Sequence, residues 1–156
     1  MSRFKELLEE FEGFARTAAS VDSLMEHIAR RLHEVVTRYN WVGFYLVEDS
    51  DPKALVLGPY AGSFSPHKRI PVSSGLCGAA ATSGKTVLVN DVSADPRYLA
   101  GSPMVKGNLI VPIFGGKVVV AELDVETYFT NTFQNPDQKF IESCASLVGR
   151  YMERKR

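Results

Sequence analysis

The chain has 156 residues, 45% of them hydrophobic, with 18 basic and 18 acidic side chains. This length suffices for one domain with a substantial core, and we predict a single domain over residues 1–156. The zero net charge gives no electrostatic attraction to nucleic acid or to an anionic membrane surface, so neither is expected as a partner.

Apolar residues at helical spacing predict two helices at the start of the chain. The second stripe runs from Leu24 to Tyr39, and Ser20 or Asp22 is the expected N-cap. Four glutamates interrupt residues 1–14, so we expect no secretory signal there, and no apolar run reaches the roughly 20 residues that cross a bilayer. The first stripe consists of Phe4, Leu7, Leu8, Phe11 and Phe14.

Short strands are predicted next, over residues 41–47, 54–57, 69–72 and 86–89. Between the last two, residues 75–83 are rich in small side chains and are predicted to form one or two helical turns that end at Gly84. The irregular segment from Ser93 to Gly107 has the length at which loops are often functional.

A hairpin and a helix complete the chain. Residues 109–114 and 117–125 are predicted to pair about Gly115-Gly116. Asn135, Pro136 and Gln138 are expected at the N-cap, N1 and N3 positions of the final helix. The order helix, helix, antiparallel strands, helix predicts an α+β fold.

The strand over residues 41–47 has two different faces, because side chains alternate across a strand. Val42 and Phe44 point towards a core, while Trp41 and Tyr45 point the other way, on either side of Gly43. The glycine is expected to leave a gap between the two aromatics that suits a small ligand. Packing of both aromatics under a helix is the alternative.

The strand that ends at Thr127 carries three carboxylates on one face: Glu122, Asp124 and Glu126. Carboxylates in a row repel one another, so they favour either water or a bound cation or hydrogen-bond donor. A solvated face is one reading. The apolar run just before them indicates a central strand, which favours the ligand-binding one.

The two cysteines, Cys77 and Cys144, provide no disulfide framework, and a cytoplasmic location is predicted. Cys144 lies on the apolar stripe of the last helix and is expected to be buried. Cys77 lies between Gly75 and Gly78 at a predicted helix N-terminus, where the helix dipole would favour a thiolate. The three histidines share no metal-binding spacing with one another or with the cysteines, so we predict no metal or other cofactor.

These motifs together resemble a GAF domain, and within that class the free methionine-(R)-sulfoxide reductases. The resemblance implies an antiparallel sheet of about six strands, with the N- and C-terminal helices packed on one face, and a homodimer. It also implies that Trp41 and Tyr45 line a pocket in which Asp124 and Glu126 contact the substrate. The similar segments span residues 4–151 and include 40–46, 57–62, 69–72, 75–78, 90–92, 110–113 and 123–126.

The chain departs from the reductases at the positions of their chemistry. Gly101 and His67 stand where the family has cysteines, and Asn108 stands where it has a pocket glutamate. Of the three family cysteines only Cys77 remains. Because sulfoxide reduction begins with thiolate attack and ends with a second thiol, these departures predict binding without turnover.

Three hypotheses follow. The first is a GAF-type domain that binds an amine- or amino-acid-like small molecule, as a sensor in signal transduction, through Trp41, Tyr45, Asp124, Glu126 and Asn108. The second is an oxidoreductase similar to L-methionine-(R)-S-oxide reductase, with Cys77 as its catalytic residue and a thioredoxin-type external thiol. The third is a dimerising interaction module whose pocket has lost its function.

Overall fold

The computed structural model describes residues 2–50, 53–63, 67–99 and 102–155. Within these residues four α-helices and six β-strands form an α+β fold, as predicted. The elements in chain order are α1 (Arg3–Thr17), α2 (Val21–Val35), β1 (Trp41–Glu48), β2 (Ala54–Gly62), β3 (Arg69–Pro71), α3 (Gly75–Ser83), β4 (Val87–Val89), a 3₁₀ turn (Val92–Ala94), β5 (Gly107–Gly115), β6 (Val118–Thr127) and α4 (Asn135–Arg154).

The strands form one antiparallel sheet in the order β3-β2-β1-β6-β5-β4. The helices α1, α2 and α4 cover one face, where their apolar stripes meet side chains such as Phe44 and Leu123 in the larger core. On the opposite face, α3 and residues 92–99 and 102–105 cover a smaller core that includes Trp41 and Tyr45. The prediction that the terminal helices share one face is therefore confirmed.

Local signals explain where the helices begin and end. The Ser20 hydroxyl accepts a hydrogen bond from the Ser23 backbone N–H at 3.1 Å, which makes Ser20 the N-cap of α2. α3 ends at Gly84, whose backbone is left-handed at a φ of 70°, a conformation that glycine adopts without steric cost. Both ends lie where the sequence predicted them.

Several predicted strand ends are off by one or two residues, and two boundaries were wrong for an identifiable reason. Strand β2 continues past Leu57 to Gly62, because an irregularity in its pairing with β1 accommodates Pro59, which has no N–H to donate. The N-cap of α4 is Gln134 rather than Asn135. The Asp137 carboxylate accepts the Gln134 backbone N–H at 3.0 Å, which moves the cap back by one residue.

The apolar stripes of the terminal helices are used within the chain itself. Leu7 and Phe11 of α1 are buried in the larger core, and Phe4 stacks on Phe140 of α4 at 4.2 Å between ring centroids. The stripes therefore give no independent argument for a dimer, which stays a prediction. Among the described residues, none of the four α-helices has the continuous apolar length of a membrane-spanning segment.

Candidate functional site

Strands β1 and β6 bring the aromatic and the acidic faces together. They are neighbours in the sheet, and their register places Trp41 opposite Glu126, Gly43 opposite Asp124 and Tyr45 opposite Glu122. Side chains that are directly opposite share one face of the sheet. The two strand faces identified in the sequence are thus one continuous surface.

The predicted gap at Gly43 is wrong, because the Trp41 indole fills it. A Cβ atom built on Gly43 would lie 2.4 Å from Cη2 of Trp41 and 2.7 Å from Cβ of Tyr60. Trp41 is fully buried and stacks on Tyr60 at 5.5 Å between ring centroids. Gly43 therefore provides space for the indole rather than for a ligand.

A small cavity lies on the same face, between the sheet, α3 and the irregular segment. Its volume is about 30 Å³, which is room for one or two water molecules. Its walls combine acidic, aromatic, amide and thiol groups. The lining residues are Tyr45, His67, Ile70, Gly75, Leu76, Cys77, Tyr98, Leu99, Asn108, Asp124 and Glu126.

The three carboxyl groups of β6 are all buried: Glu122 is 0% exposed, Asp124 3% and Glu126 7%. No lysine or arginine of the described ranges forms an ion pair with any of them. The alternative of a solvated strand face is therefore wrong. Asn108 Nδ2 donates to Asp124 Oδ1 at 2.5 Å and to the Val125 carbonyl at 3.1 Å.

Burial raises the pKa of each of these carboxyl groups, because the charged form loses its hydration. The pKa of Asp124 rises to about 6. The pKa values of Glu122 and Glu126 rise well above their usual range, and the neighbouring charge of Asp124 adds to the effect of burial. In the described part of the chain, neither oxygen of Glu122 makes a hydrogen bond of normal geometry. Burial without a nearby lysine or arginine therefore favours the protonated form of all three groups.

Cys77 lies in the first turn of α3, and its Sγ is 3.8 Å from Oδ2 of Asp124. The expectation that the helix dipole would favour a thiolate is wrong. Burial and the surrounding carboxyl groups raise the pKa of the Cys77 thiol well above its usual value. Cys77 is therefore a thiol in this environment.

Of the residues predicted to bind ligand, four line the cavity: Tyr45, Asn108, Asp124 and Glu126. Trp41 lies outside its walls, 6.4 Å from Tyr45 between ring centroids, and supports that ring from the side. The sequence did not indicate Tyr98 as a wall residue. Only its position in the irregular segment, where functional residues are common, could have indicated that Tyr98 lines the site.

Comparison with known proteins places this geometry in a family. Residues 18–153 match the family model of the GAF domain. The chain belongs to the GAF domain family. A free methionine-R-sulfoxide reductase structure from Neisseria meningitidis, in complex with its substrate, superposes on this GAF domain with a TM-score of 0.90 and 28% identity, over 97% of this chain and 90% of that one.

Curated relatives of this GAF domain include both reductases and proteins named only for the domain. The free methionine-R-sulfoxide reductase of Saccharomyces cerevisiae is 28% identical, over 94% of this chain and 83% of the relative. The GAF domain-containing protein A of Dictyostelium discoideum is 29% identical, over 94% of this chain and 90% of the relative. The resemblance stated from the sequence motifs is thereby confirmed.

The thiols of this GAF domain are divided between the two cores. Cys77 lies in the smaller core beside the cavity, whereas Cys144 of α4 is fully buried in the larger core on the other face of the sheet. His67 lines the cavity, and its carbonyl accepts the Tyr45 hydroxyl at 2.8 Å. Gly101, the other position where the reductases have a cysteine, lies outside the described residues.

Proposed function

We propose that this GAF domain binds a small molecule with a primary amine, of the free amino-acid kind, and does not convert it. One observation carries the proposal: the carboxyl groups of Asp124 and Glu126 lie side by side in the wall of a cavity that no lysine or arginine of the described residues lines. A bound ammonium group would supply the missing positive charge. Binding without turnover is the behaviour expected of a sensor domain.

The cavity offers an ammonium group charge-assisted hydrogen bonds, which contribute about 1.5–3 kcal/mol each. The Asn108 amide fixes the orientation of the Asp124 carboxylate through its 2.5 Å bond. The ring of Tyr45 provides an apolar wall, and Trp41 supports that ring. Because the cavity has room for only one or two waters, its rim must widen before an amino acid can enter.

The relatives suggest which amino acid to test first. Those named above as reductases act, by their names, on free methionine-R-sulfoxide. Methionine and its sulfoxide carry the same ammonium group, so either one would satisfy the acidic wall. We therefore infer that the ligand is about the size of methionine and carries an ammonium group.

The positions of the thiols support binding without turnover. Reduction of a sulfoxide requires a thiolate that attacks sulfur and a second thiol that resolves the resulting sulfenic acid. The chain has only two cysteines, and the sheet separates Cys77 from Cys144. A second candidate function is reduction by Cys77 with an external, thioredoxin-type thiol, which is favoured because Cys77 lines the same cavity.

Calorimetry with L-methionine and L-methionine-(R)-sulfoxide tests the proposed binding. We expect saturable binding by the wild-type protein and at least roughly tenfold weaker binding by Asp124→Asn, which keeps the shape and removes the charge. Glu142→Gln is the matched control, because Glu142 lies on α4, on the opposite face of the sheet. Equal affinity of the Asp124→Asn variant for every ligand would contradict the proposal.

A coupled assay separates the two candidate functions. With thioredoxin, thioredoxin reductase and NADPH, we expect no steady oxidation of NADPH on addition of methionine-(R)-sulfoxide. Steady turnover that disappears in Cys77→Ser would instead establish the reductase. Binding should survive in Cys77→Ser if the proposal is right.

A further inference from the structure

The carboxyl groups of Asp124 and Glu126 lie two residues apart on one face of β6, both are buried, and both line the same cavity. Two neighbouring carboxyl groups that are buried without a cation cannot both be charged without a large cost, and they can hydrogen-bond to each other only when one of them carries a proton. We therefore expect the pair to hold one proton in the ligand-free protein.

The hydrogen-bond partners indicate which group holds the proton. Asp124 accepts from Asn108 Nδ2 at 2.5 Å, and this bond stabilises its charged form. In the described ranges no N–H group donates to the Glu126 carboxyl group, whose neighbour in the cavity wall is Asp124. Asp124 is therefore the carboxylate and Glu126 the acid.

The other titratable side chains near the pair come from the two central strands, from α3 and from the rest of the cavity wall. Tyr45 faces it from β1, Cys77 from α3, Glu122 from the same strand, and His67 and Tyr98 from the cavity wall. No lysine or arginine of the described ranges lines the cavity. The proton is consequently the positive charge that a cationic ligand would have to replace.

We propose that ligand binding is a proton-for-ammonium exchange, in which the amine group of the ligand displaces the Glu126 proton into solvent. This inference rests on the proposed function and specifies how the same pocket accepts its ligand. The ligand enters as an ammonium ion, the O–H bond of Glu126 breaks, and the proton passes to the buffer. Both carboxylates then face one ammonium group, and one proton is released for each ligand bound.

The exchange makes affinity depend on pH in a definite direction. Because binding releases a proton, mass action strengthens it as the pH rises, until Glu126 is ionised in the free protein or the ligand amine loses its own proton. An amine-free analogue such as N-acetyl-L-methionine cannot take part in the exchange. Its affinity should not rise in the same way.

Calorimetry in two buffers measures the exchange. L-methionine is titrated into the protein at pH 7 in phosphate and in Tris, whose ionisation enthalpies differ, and the difference in observed enthalpy gives the number of protons released. We expect about one proton for the wild type and for Glu142→Gln. We expect about none for Glu126→Gln, because its amide donates to Asp124 without a titratable proton.

The possible results distinguish failure of the proton exchange from failure of the proposed function. Binding of methionine without proton release would overturn the exchange and leave the proposed function intact, whereas no binding of any free amino acid would overturn both. NMR of the ligand-free wild-type protein gives a second check, which does not depend on whether a variant folds. The carboxyl carbon resonance of Glu126 should be that of a protonated acid at pH 7, and an ionised Glu126 would overturn the exchange.

Discussion

Gly43 shows how a single residue positions the aromatic wall of the site. Its missing side chain lets the Trp41 indole lie flat over the strand, where the indole contacts Tyr60 and the Tyr45 ring lies beside it. A side chain at this position would clash with the indole and displace it. The conformational freedom of glycine is not needed here; its small size is.

We predict that Gly43→Ala lowers the free energy of unfolding by about 1–3 kcal/mol, because the new Cβ would overpack against Trp41 and the Cβ of Tyr60. Gly13→Ala is the matched control. The nearest atom to its Cβ is 3.9 Å away, and alanine in the middle of α1 should stabilise the protein by about 0.5–1 kcal/mol. Denaturant unfolding measures both, and equal effects would contradict this account.

Asp124 should make stability depend on pH. Its pKa in the folded protein is raised to about 6, so its contribution is present at low pH and is lost as the pH rises through that value. We predict that the wild type loses stability relative to Asp124→Asn between pH 4 and about 6. Urea unfolding at several pH values measures this, and parallel curves would show that Asp124 titrates normally.

The alternation of side chains was sufficient to predict which residues share a face with Tyr45 and Asp124. It could not predict that β1 and β6 are neighbours, because pairing of distant strands is set by the whole sheet. Nor could it predict the rotamer of Trp41, which decides whether Gly43 leaves a gap. The raised pKa of Cys77 likewise depends on carboxyl groups 45 or more residues away in the chain.

At the scale of elements, Asp137 ties the start of α4 to the connection between α2 and β1. Its Oδ1 accepts from the Tyr39 hydroxyl at 2.5 Å and from Arg38 at 2.5 Å, while Oδ2 accepts from the Gln134 N–H at 3.0 Å. Three donors thus converge on one buried carboxylate. The three bonds compensate the buried carboxylate for its lost hydration, and Tyr39 donates from a position that is itself buried.

We predict that Asp137→Asn destabilises the protein by about 2–4 kcal/mol, because an amide cannot accept on both sides and its NH₂ would face a donor. Tyr39→Phe should cost about 1 kcal/mol, since it removes one donor and leaves the carboxylate bound to the others. Thermal unfolding compares the two variants. A smaller loss for Asp137→Asn than for Tyr39→Phe would contradict the role of the carboxylate.

Element types could be predicted from periodicity, and some ends from capping residues, as at Ser20 and Gly84. The errors came from residues that act outside their usual positions. The second strand was predicted to end at Leu57, but the irregular pairing of β2 with β1 tolerates Pro59 and lets the strand continue. Asn135 was the stronger N-cap by residue type, yet Asp137 fixed the cap one residue earlier.

At the scale of the whole molecule, the sheet separates a larger apolar core from a smaller core that contains the candidate site. The three longer helices and one face of the sheet form the larger core, which provides most of the apolar burial. The smaller core under α3 accommodates the cavity and the buried acids. Buried acids without cations are costly, and the larger core offsets that cost. Whether two copies associate stays a prediction for sedimentation.

A thermodynamic cycle measured by calorimetry shows whether Asp124 and the ammonium group of the ligand interact directly. The cycle compares L-methionine and N-acetyl-L-methionine on the wild type and on Asp124→Asn. We predict a coupling free energy of at least about 1.4 kcal/mol, which is tenfold in affinity and specific to the pair that has both charges. If removal of the carboxylate weakens both ligands equally, or neither, the coupling is zero and the account of this pocket is wrong.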